Sequence, residues 1–126
     1  RLGKQVYLPV VGDGGGMQFR GYRRGDSLRK NRMGILEPRA NAAALSVDEL
    51  DIVFVPLVAF SIGGARLGMG GGYYDRTLSF LNVRAKWIKP RLVGIGHSFQ
   101  EVPSIASESW DVPLSYIATE QNLIKV

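Results

Sequence analysis

The sequence predicts an α/β protein in which helices pack on a β-sheet. Residues 51–55 and 92–95 are short runs rich in apolar residues, with the length and β-branched content of buried strands. Between them lies a glycine-rich stretch, followed by apolar residues at Tyr74, Leu78 and Leu81, the spacing of one helix face. Strands that alternate with helical connections are typical of an α/β sheet.

The bulk properties fit one α/β domain over residues 1–126. The chain contains no cysteine, which excludes disulfides, thiolate metal sites and a cysteine nucleophile. The formal net charge of +5 favours anionic partners. No apolar run is long enough to cross a bilayer, so we expect no membrane partner and a cytoplasmic location.

The N-terminal part predicts two strands, at 5–11 and 17–22, joined by a glycine-rich turn at 12–16. Because these glycines lead into another strand, a turn is favoured there over a phosphate site. Residues 34–38 predict a short extended piece that ends at a proline, and 41–50 a loop or a short helix.

A basic segment at 20–32 carries six cationic residues. They are Arg20, Arg23, Arg24, Arg29, Lys30 and Arg32. Such a cluster can bind nucleic acid, but only Tyr22 interleaves as an aromatic and Asp26 interrupts the run. A solvated rim near an anionic pocket is favoured, and no nucleic-acid partner is expected.

The most informative stretch is Arg-Leu-Gly-Met-Gly-Gly-Gly-Tyr-Tyr-Asp-Arg at 66–76, here called the glycine motif. It follows the strand at 51–55, an apolar continuation at 57–62 and a tight turn at 63–64, and it opens a helix predicted to end near residue 82. Glycines allow the backbone N–H groups to approach a ligand closely, and a helix N-terminus adds free donors. The pattern therefore predicts phosphate binding.

The side chains of the glycine motif support this prediction, although the spacing matches neither a P-loop nor a dinucleotide fingerprint. Arg66 and Arg76 can neutralise phosphate oxygens. Asp75 can hold magnesium together with phosphate. It can also simply be an acidic residue in the first helical turn, where the helix dipole favours negative charge. One of Tyr73 and Tyr74 is expected in the core, and the other is free to stack on a planar ligand.

The C-terminal part predicts a buried strand at 92–95 and a final edge strand at 115–119. His97, the one histidine, follows the first of these strands and is more simply structural than catalytic. Asp111 lies in an irregular segment that suits either a metal-binding carboxylate or a capping role. No nucleophile elbow exists, which excludes a serine hydrolase of that type.

The chain closely resembles the 5-formyltetrahydrofolate cyclo-ligases, also called methenyltetrahydrofolate synthetases. The resemblance rests on the glycine motif together with Val-Pro-Leu-Val-Ala-Phe at 55–60. Further matches are Val-Tyr-Leu-Pro-Val at 6–10, Gly-Ile-Leu-Glu-Pro at 34–38, Val-Gly-Ile-Gly-His at 93–97 and Trp-Asp-Val-Pro-Leu at 110–114. The resemblance implies a mostly parallel sheet sandwiched by helices.

The resemblance also implies an enzyme, a ligase of one-carbon metabolism that forms a C–N bond. Such enzymes convert 5-formyltetrahydrofolate to 5,10-methenyltetrahydrofolate with ATP and Mg²⁺, releasing ADP and phosphate. By position, the catalytic residues would be Arg66, Tyr73 and Asp75, and Asp75 and Asp111 would hold the metal. The residues that would bind ATP and border the folate are Arg66, Leu67, Gly68, Met69, Gly70, Gly71, Gly72, Tyr73, Tyr74 and Arg76.

The chain departs from the family pattern in several places. Ser61 and Ser98 stand where members often have aspartate, and Met69 and Gly71 occupy a loop that often carries a basic residue. Members usually have a longer segment before the first strand, which contributes to the ATP and folate sites, so we expect these residues to be the C-terminal portion of such a fold. Two alternatives stay open: a non-catalytic nucleotide- or folate-binding module, and a basic nucleic-acid-binding protein.

Overall fold

The computed structural model describes residues 3–11, 16–39, 42–63, 65–67, 77–78, 90–106 and 114–126. Within these residues the chain forms two main sheets and two short hairpins. The strands are β1 (Val6–Val11), β2 (Met17–Tyr22), β3 (Leu28–Lys30), β4 (Leu36–Pro38), β5 (Ala44–Leu45), β6 (Ile52–Pro56), β7 (Ala59–Phe60), β8 (Arg66–Leu67), β9 (Arg91–Ile95), β10 (Tyr116–Ala118) and β11 (Leu123–Lys125). Two 3₁₀ turns lie at Val47–Glu49 and Ser98–Gln100.

The N-terminal sheet has the order β1-β2-β5, and its pairings are antiparallel. Val11 pairs with Met17, so the short glycine-rich connection reverses the chain directly, as predicted. Residues 12–15 of that connection lie outside the described part. A connection of this length cannot join parallel neighbours, which need a crossover of a dozen residues or more. The prediction of a mostly parallel sheet is therefore wrong for this part of the fold.

The hairpin of β3 and β4 is attached to the end of β1. Its turn is closed by the side chain of Asn31, whose Oδ1 accepts the backbone N–H groups of Met33 at 2.8 Å and Ile35 at 3.0 Å. Glu37 on β4 accepts the backbone N–H of Val11 at 2.9 Å and the Asn31 side-chain amide at 3.0 Å. One carboxylate thus joins the hairpin turn to the strand that leads into the first glycine stretch.

The C-terminal sheet has the order β11-β10-β9-β6 and is mostly parallel. β6 and β10 both pair in parallel with β9, with Val53 opposite Leu92 and Tyr116 opposite Val93. β11 pairs antiparallel with β10. The strand predicted at 115–119 is therefore β10, but its prediction as the edge is wrong, because β11 covers it.

The core combines residues from both sheets. Its buried members include Phe19, Val47, Leu50, Val53, Val55, Leu57, Phe60, Leu78, Leu92, Leu114 and Ile117. Along β6, Val53 and Val55 are buried, whereas Ile52 and Phe54 are more than half exposed. One face of this strand therefore supplies the packing that fixes the C-terminal sheet.

The helical layers of the predicted sandwich stay a prediction. In the described part of the chain, α-helical conformation is limited to Thr77 and Leu78, which belong to the helix predicted after the glycine motif. The other residues of the predicted helix lie outside the described part of the chain. Among the residues that are described, no helix is long and apolar enough to span a membrane.

Candidate functional site

The entrance to the glycine motif is held by a two-residue hairpin. β7 and β8 pair antiparallel, with Phe60 opposite Arg66 and Ala59 opposite Leu67. The Ser61 N–H donates to the Ala65 carbonyl oxygen at 2.9 Å and closes the turn. Phe60 is fully buried, and Ser61 is nearly so. The hairpin is therefore anchored in the core through β7, and β8 holds Arg66 at the start of the glycine motif.

Arg66 is one of two predicted site residues whose position the structure gives. It is half-buried on β8, and its Nε atom is fully enclosed. Leu67 follows it on the same strand. A half-buried arginine side chain loses less conformational entropy on binding an anion than a freely mobile one, because part of its motion is already restricted. The geometry therefore suits the predicted phosphate contact.

The other predicted site residues lie outside the described part of the chain. They are Gly68, Met69, Gly70, Gly71, Gly72, Tyr73, Tyr74, Asp75, Arg76 and Asp111. Their proximity to Arg66, and the metal site predicted at Asp75 and Asp111, stay predictions. Within the described residues, no group of three or more acidic or histidine side chains is positioned to hold a metal ion.

The exit of the glycine motif is fixed by Thr77. Its Oγ1 accepts the backbone N–H of Met17 at 2.8 Å, and the next residue, Leu78, is fully buried. A Cβ added at Gly16 would lie 3.7 Å from the same oxygen. The end of the first glycine stretch therefore meets Thr77, the residue that follows the glycine motif, although the two stretches are far apart in the sequence.

An open cavity of about 400 Å³ lies at this junction. It is lined by residues 16–18 of the β2 start, by 46–48 around the first 3₁₀ turn and by Thr77. Met17 and Val47 give apolar surface, whereas Ser46 and Asp48 give polar groups. Such a mixture suits a planar ligand with polar edges. Sequence reasoning missed this wall, because no local pattern links residues 17, 47 and 77.

The 3₁₀ turn beside the cavity is stabilised by a capping box. The Ser46 hydroxyl donates to the Glu49 carboxylate at 2.7 Å, and the Ser46 backbone N–H reaches the same oxygen at 3.2 Å. Val47 is buried beneath the turn. These contacts satisfy donors at the turn N-terminus and hold the Asp48 segment at the cavity rim.

A second cluster lies at the carboxyl ends of β9 and β10. The backbone N–H of Ser98 donates to both Glu120 oxygens, at 2.9 and 3.0 Å, and the Ser98 hydroxyl donates to Oε1. These bonds from Ser98 lower the pKa of Glu120 below its ordinary 4.5. His97 Nδ1 lies 3.7 Å from Glu120, and the imidazole stacks on Phe99 with ring centroids 5.4 Å apart. The His97 side chain is 67% exposed, so it is a surface group.

The basic segment is spread over β2, a turn and β3. Arg23, Arg24, Arg29, Lys30 and Arg32 are exposed, while Arg20 is half-buried. The Arg23 N–H donates to the Asp26 carboxylate at 2.8 Å and shapes the turn between the strands. Most of these cations are therefore solvated, and their proximity to an anion-binding pocket stays a prediction.

Comparison with known proteins connects these features to one family. The model of the 5-formyltetrahydrofolate cyclo-ligase family matches residues 1–120. The chain is 41% identical over 124 residues to the 5-formyltetrahydrofolate cyclo-ligase of Escherichia coli, covering 94% of this chain and 65% of that protein. It is 45% identical over 114 residues to the cyclo-ligase of Haemophilus influenzae, covering 88% of this chain and 59% of that one.

Solved structures give the same result. The 5,10-methenyltetrahydrofolate synthetase of Aquifex aeolicus superposes with a TM-score of 0.77 at 33% identity, covering 97% of this chain and 58% of that one. The synthetase of Mycoplasma pneumoniae gives 0.62 at 25% identity, covering 90% and 54%. The chain thus spans less than two thirds of the length of these relatives. On the family match and these identities, the chain belongs to the 5-formyltetrahydrofolate cyclo-ligase family.

Proposed function

We propose that the gene product containing these residues is a 5-formyltetrahydrofolate cyclo-ligase. It converts 5-formyltetrahydrofolate to 5,10-methenyltetrahydrofolate, and ATP is converted to ADP and phosphate in the same reaction. The observation that carries the proposal is the placement of Arg66, the first residue of the glycine motif, and of Thr77, the residue that follows it. Arg66 lies on the β7–β8 hairpin, which is anchored in the core, and Thr77 lies in the wall of an open cavity. Family membership supplies the reaction that this arrangement serves.

The proposed ATP site is built on the entrance of the motif. Arg66 would contact the transferred phosphoryl group, and Arg76 would add a second positive charge. Gly68, Gly70, Gly71 and Gly72 would present backbone N–H groups without interference from a Cβ. The half-buried position of Arg66 supports this role, because a guanidinium in a partly desolvated site interacts with phosphate more strongly than one in bulk water.

The proposed folate site is the cavity at the exit of the motif. Its volume of about 400 Å³ is in the ordinary range for small-molecule sites. Met17 and Val47 would pack on the flat ring system, and Asp48 or Ser46 would pair with polar ring edges. Tyr73 would close the cavity from the glycine motif by stacking on the ring.

The proposed reaction has two steps, phosphoryl transfer and ring closure. The formyl oxygen of the substrate attacks the γ-phosphorus of ATP, and the bond to the leaving ADP oxygen breaks. N10 then attacks the carbon of the imidate phosphate and loses its proton, and inorganic phosphate leaves as the ring closes. Charge accumulates on the phosphoryl oxygens in the first step, where Arg66 would stabilise it.

Magnesium would neutralise charge on the phosphate oxygens and orient them. Asp75 and Asp111 are the residues proposed to hold it, since hard carboxylate oxygens are the ligands that magnesium prefers. The chain also contributes alignment, because catalysis of phosphoryl transfer depends mainly on positioning and electrostatic stabilisation.

The test is a turnover assay on the complete gene product with 5-formyltetrahydrofolate, ATP and Mg²⁺. Formation of the methenyl product is followed by its absorbance, and ADP is measured separately. Product that requires all three components supports the proposal. ATP binding in a calorimeter with no product would instead support the non-catalytic binding module, and neither binding nor product would reject both.

The assignment of Arg66 is tested by two variants of the same protein. Arg66→Ala should lower kcat/KM for ATP by about 100-fold or more, because it removes a charge from the proposed phosphate site. Arg29→Ala is the matched control, since Arg29 is an exposed arginine on β3. Equal effects of the two substitutions would contradict a specific role for Arg66.

A further inference from the structure

The side chain of Gln100 makes three hydrogen bonds at the carboxyl edge of the C-terminal sheet. Gln100 ends the 3₁₀ turn that follows β9. Its Nε2 donates to the carbonyl oxygens of Leu57 at 3.0 Å and Val58 at 2.9 Å. Its Oε1 accepts the backbone N–H of His97 at 2.6 Å. Both amide hydrogens and the carbonyl oxygen are therefore used to link two backbone segments.

Backbone hydrogen bonds on either side confirm that these segments run together. The Leu57 N–H donates to the Ile95 carbonyl oxygen at 3.0 Å, just before the Gln100 contacts. The Val102 N–H donates to the Phe60 carbonyl oxygen at 2.8 Å, just after them. Phe60 and Glu101 form a parallel β-bridge at the second of these bonds, and the Gln100 carboxamide adds a side-chain link between the chain after β6 and the chain after β9.

The linked segment leads directly to the proposed ATP site. Leu57 and Val58 are followed by β7, and Phe60 on β7 pairs with Arg66 on β8. A shift of the 57–58 backbone would move β7, and the pairing would carry this movement to β8. Gln100 is thus connected to the backbone of Arg66 through its bonds to residues 57–58 and the pairing of β7 with β8.

We propose that Gln100 is a positioning residue for Arg66. This inference rests on the proposed function, because it concerns the same ATP site. The carboxamide fixes the height of the β7–β8 hairpin on the sheet and so the distance of Arg66 from the transferred phosphoryl group. A small misplacement of a residue that binds phosphate removes much of the contribution of that residue to catalysis. A side chain that holds Arg66 in position is therefore important for function.

The chemistry of the site requires an amide. A carboxylate has the shape of the carboxamide and keeps the acceptor for the His97 N–H, but it has no donors and faces two carbonyl oxygens. A methionine side chain has similar length with neither donor nor charge. Gln100→Glu should therefore push the two segments apart, whereas Gln100→Met should only release them.

The test measures ATP and folate kinetics of both variants in the complete gene product. We expect Gln100→Glu to lower kcat/KM for ATP by about 10-fold, through a higher KM, a lower kcat or both, which is within the usual range of coupling between sites. Gln100→Met should have a smaller effect. KM for 5-formyltetrahydrofolate should stay within about twofold of wild type. Gln121→Glu is the matched control, since Gln121 is exposed in the β10–β11 turn.

A double-mutant cycle separates positioning from a general loss of stability. If Gln100 acts through Arg66, then Gln100→Glu should change kcat/KM for ATP little once Arg66 is alanine. Equal effects in both backgrounds would overturn the proposal. So would a loss of thermal stability with unchanged ATP kinetics well below the melting temperature.

Hydrogen exchange distinguishes failure of this inference from failure of the proposed function. The Ser61 and Val102 amides should exchange faster in Gln100→Glu than in wild type, whether or not the protein turns over ATP. Faster exchange in a protein that shows no turnover would support the structural role of Gln100 and contradict the proposed enzymatic function. Unchanged exchange together with unchanged kinetics would contradict the positioning role of Gln100 without contradicting the proposed enzymatic function.

Discussion

The backbone N–H of Met17 donates a 2.8 Å hydrogen bond to Oγ1 of Thr77, a residue 60 positions later in the chain. This bond joins the first strand after one glycine-rich stretch to the first described residue after the other. It lies in the wall of the cavity proposed for the folate. A single hydroxyl therefore fixes the spacing between two parts of the site.

Replacement of Thr77 by valine should loosen this wall. The change keeps the β-branched shape but removes the acceptor of a part-buried N–H, which costs about 1 kcal/mol in free energy of unfolding. KM for the folate should rise while KM for ATP changes less. Urea unfolding and steady-state kinetics measure both effects. Thr77→Ser keeps the hydroxyl and is the control, and identical behaviour of serine and valine would rule out the bond as the cause.

Gly94 is predicted to accept a side chain only at a cost in stability. A Cβ at this position on β9 would lie 2.7 Å from Leu114 Cδ1 and 2.9 Å from Leu57 Cδ1, both in the core. Gly94→Ala should therefore destabilise the fold by about 1–3 kcal/mol through overpacking. At Gly63 an added Cβ meets nothing within 4 Å, so Gly63→Ala should be neutral or slightly stabilising. Denaturant unfolding of the two variants checks the contrast, and equal stabilities would contradict it.

The contact between Ser98 and Glu120 should make stability depend on pH. Because the folded pKa of Glu120 is lowered below 4.5, chiefly by the Ser98 hydroxyl, the fold favours the ionised carboxylate. Its stabilising contribution is present above the unfolded pKa and is lost as pH falls through the lowered folded pKa. The stability difference between wild type and Glu120→Gln should accordingly be larger at neutral pH than in acid. Urea midpoints across this range measure it, and a difference independent of pH would exclude the carboxylate as its source.

The basic segment should contribute little to nucleic-acid binding. Arg23 and Arg24 are exposed, and the segment carries few aromatic groups for stacking on bases. We expect a mixed-sequence RNA to bind weakly at physiological salt and with the same affinity after both arginines are changed to alanine. Fluorescence anisotropy across a salt series is the measurement. Tight wild-type binding that the double substitution abolishes would instead support a nucleic-acid function.

The strands with strong apolar runs could be predicted from the sequence. β1, β2, β6 and β9 lie within a residue or two of their predicted positions, because short β-branched runs and, in β2, apolar–polar alternation are local signals. Burial was predicted less well: Val53 and Val55 are in the core, but Phe54 is 58% exposed. Continuous hydrophobicity indicates a strand without telling which of its faces is covered.

Features that depend on pairing between distant segments were missed. β11 was not predicted, since three mixed residues carry little periodicity, and its position beyond β10 removed the predicted edge. β7 was hidden in the apolar continuation at 57–62, and β8 lies at the start of the glycine motif, where no strand was predicted. In the site, the glycine motif and Arg66 were identifiable from local chemistry. Thr77 and Gln100 were not, because their roles depend on partners far away in the sequence.

The parallel pairing of β6 with β9 also sets the order in which the site can form during folding. The β7–β8 hairpin and the glycine motif lie in the crossover between these two strands. Closing this long loop costs chain entropy before the strand contacts repay it, so docking of β9 is expected late. Gln100 follows β9, so its hydrogen bonds to residues 57–58, just before the hairpin, form only after that step. Recovery of ATP affinity during refolding would therefore report completion of the C-terminal sheet, and not the earlier collapse of the chain.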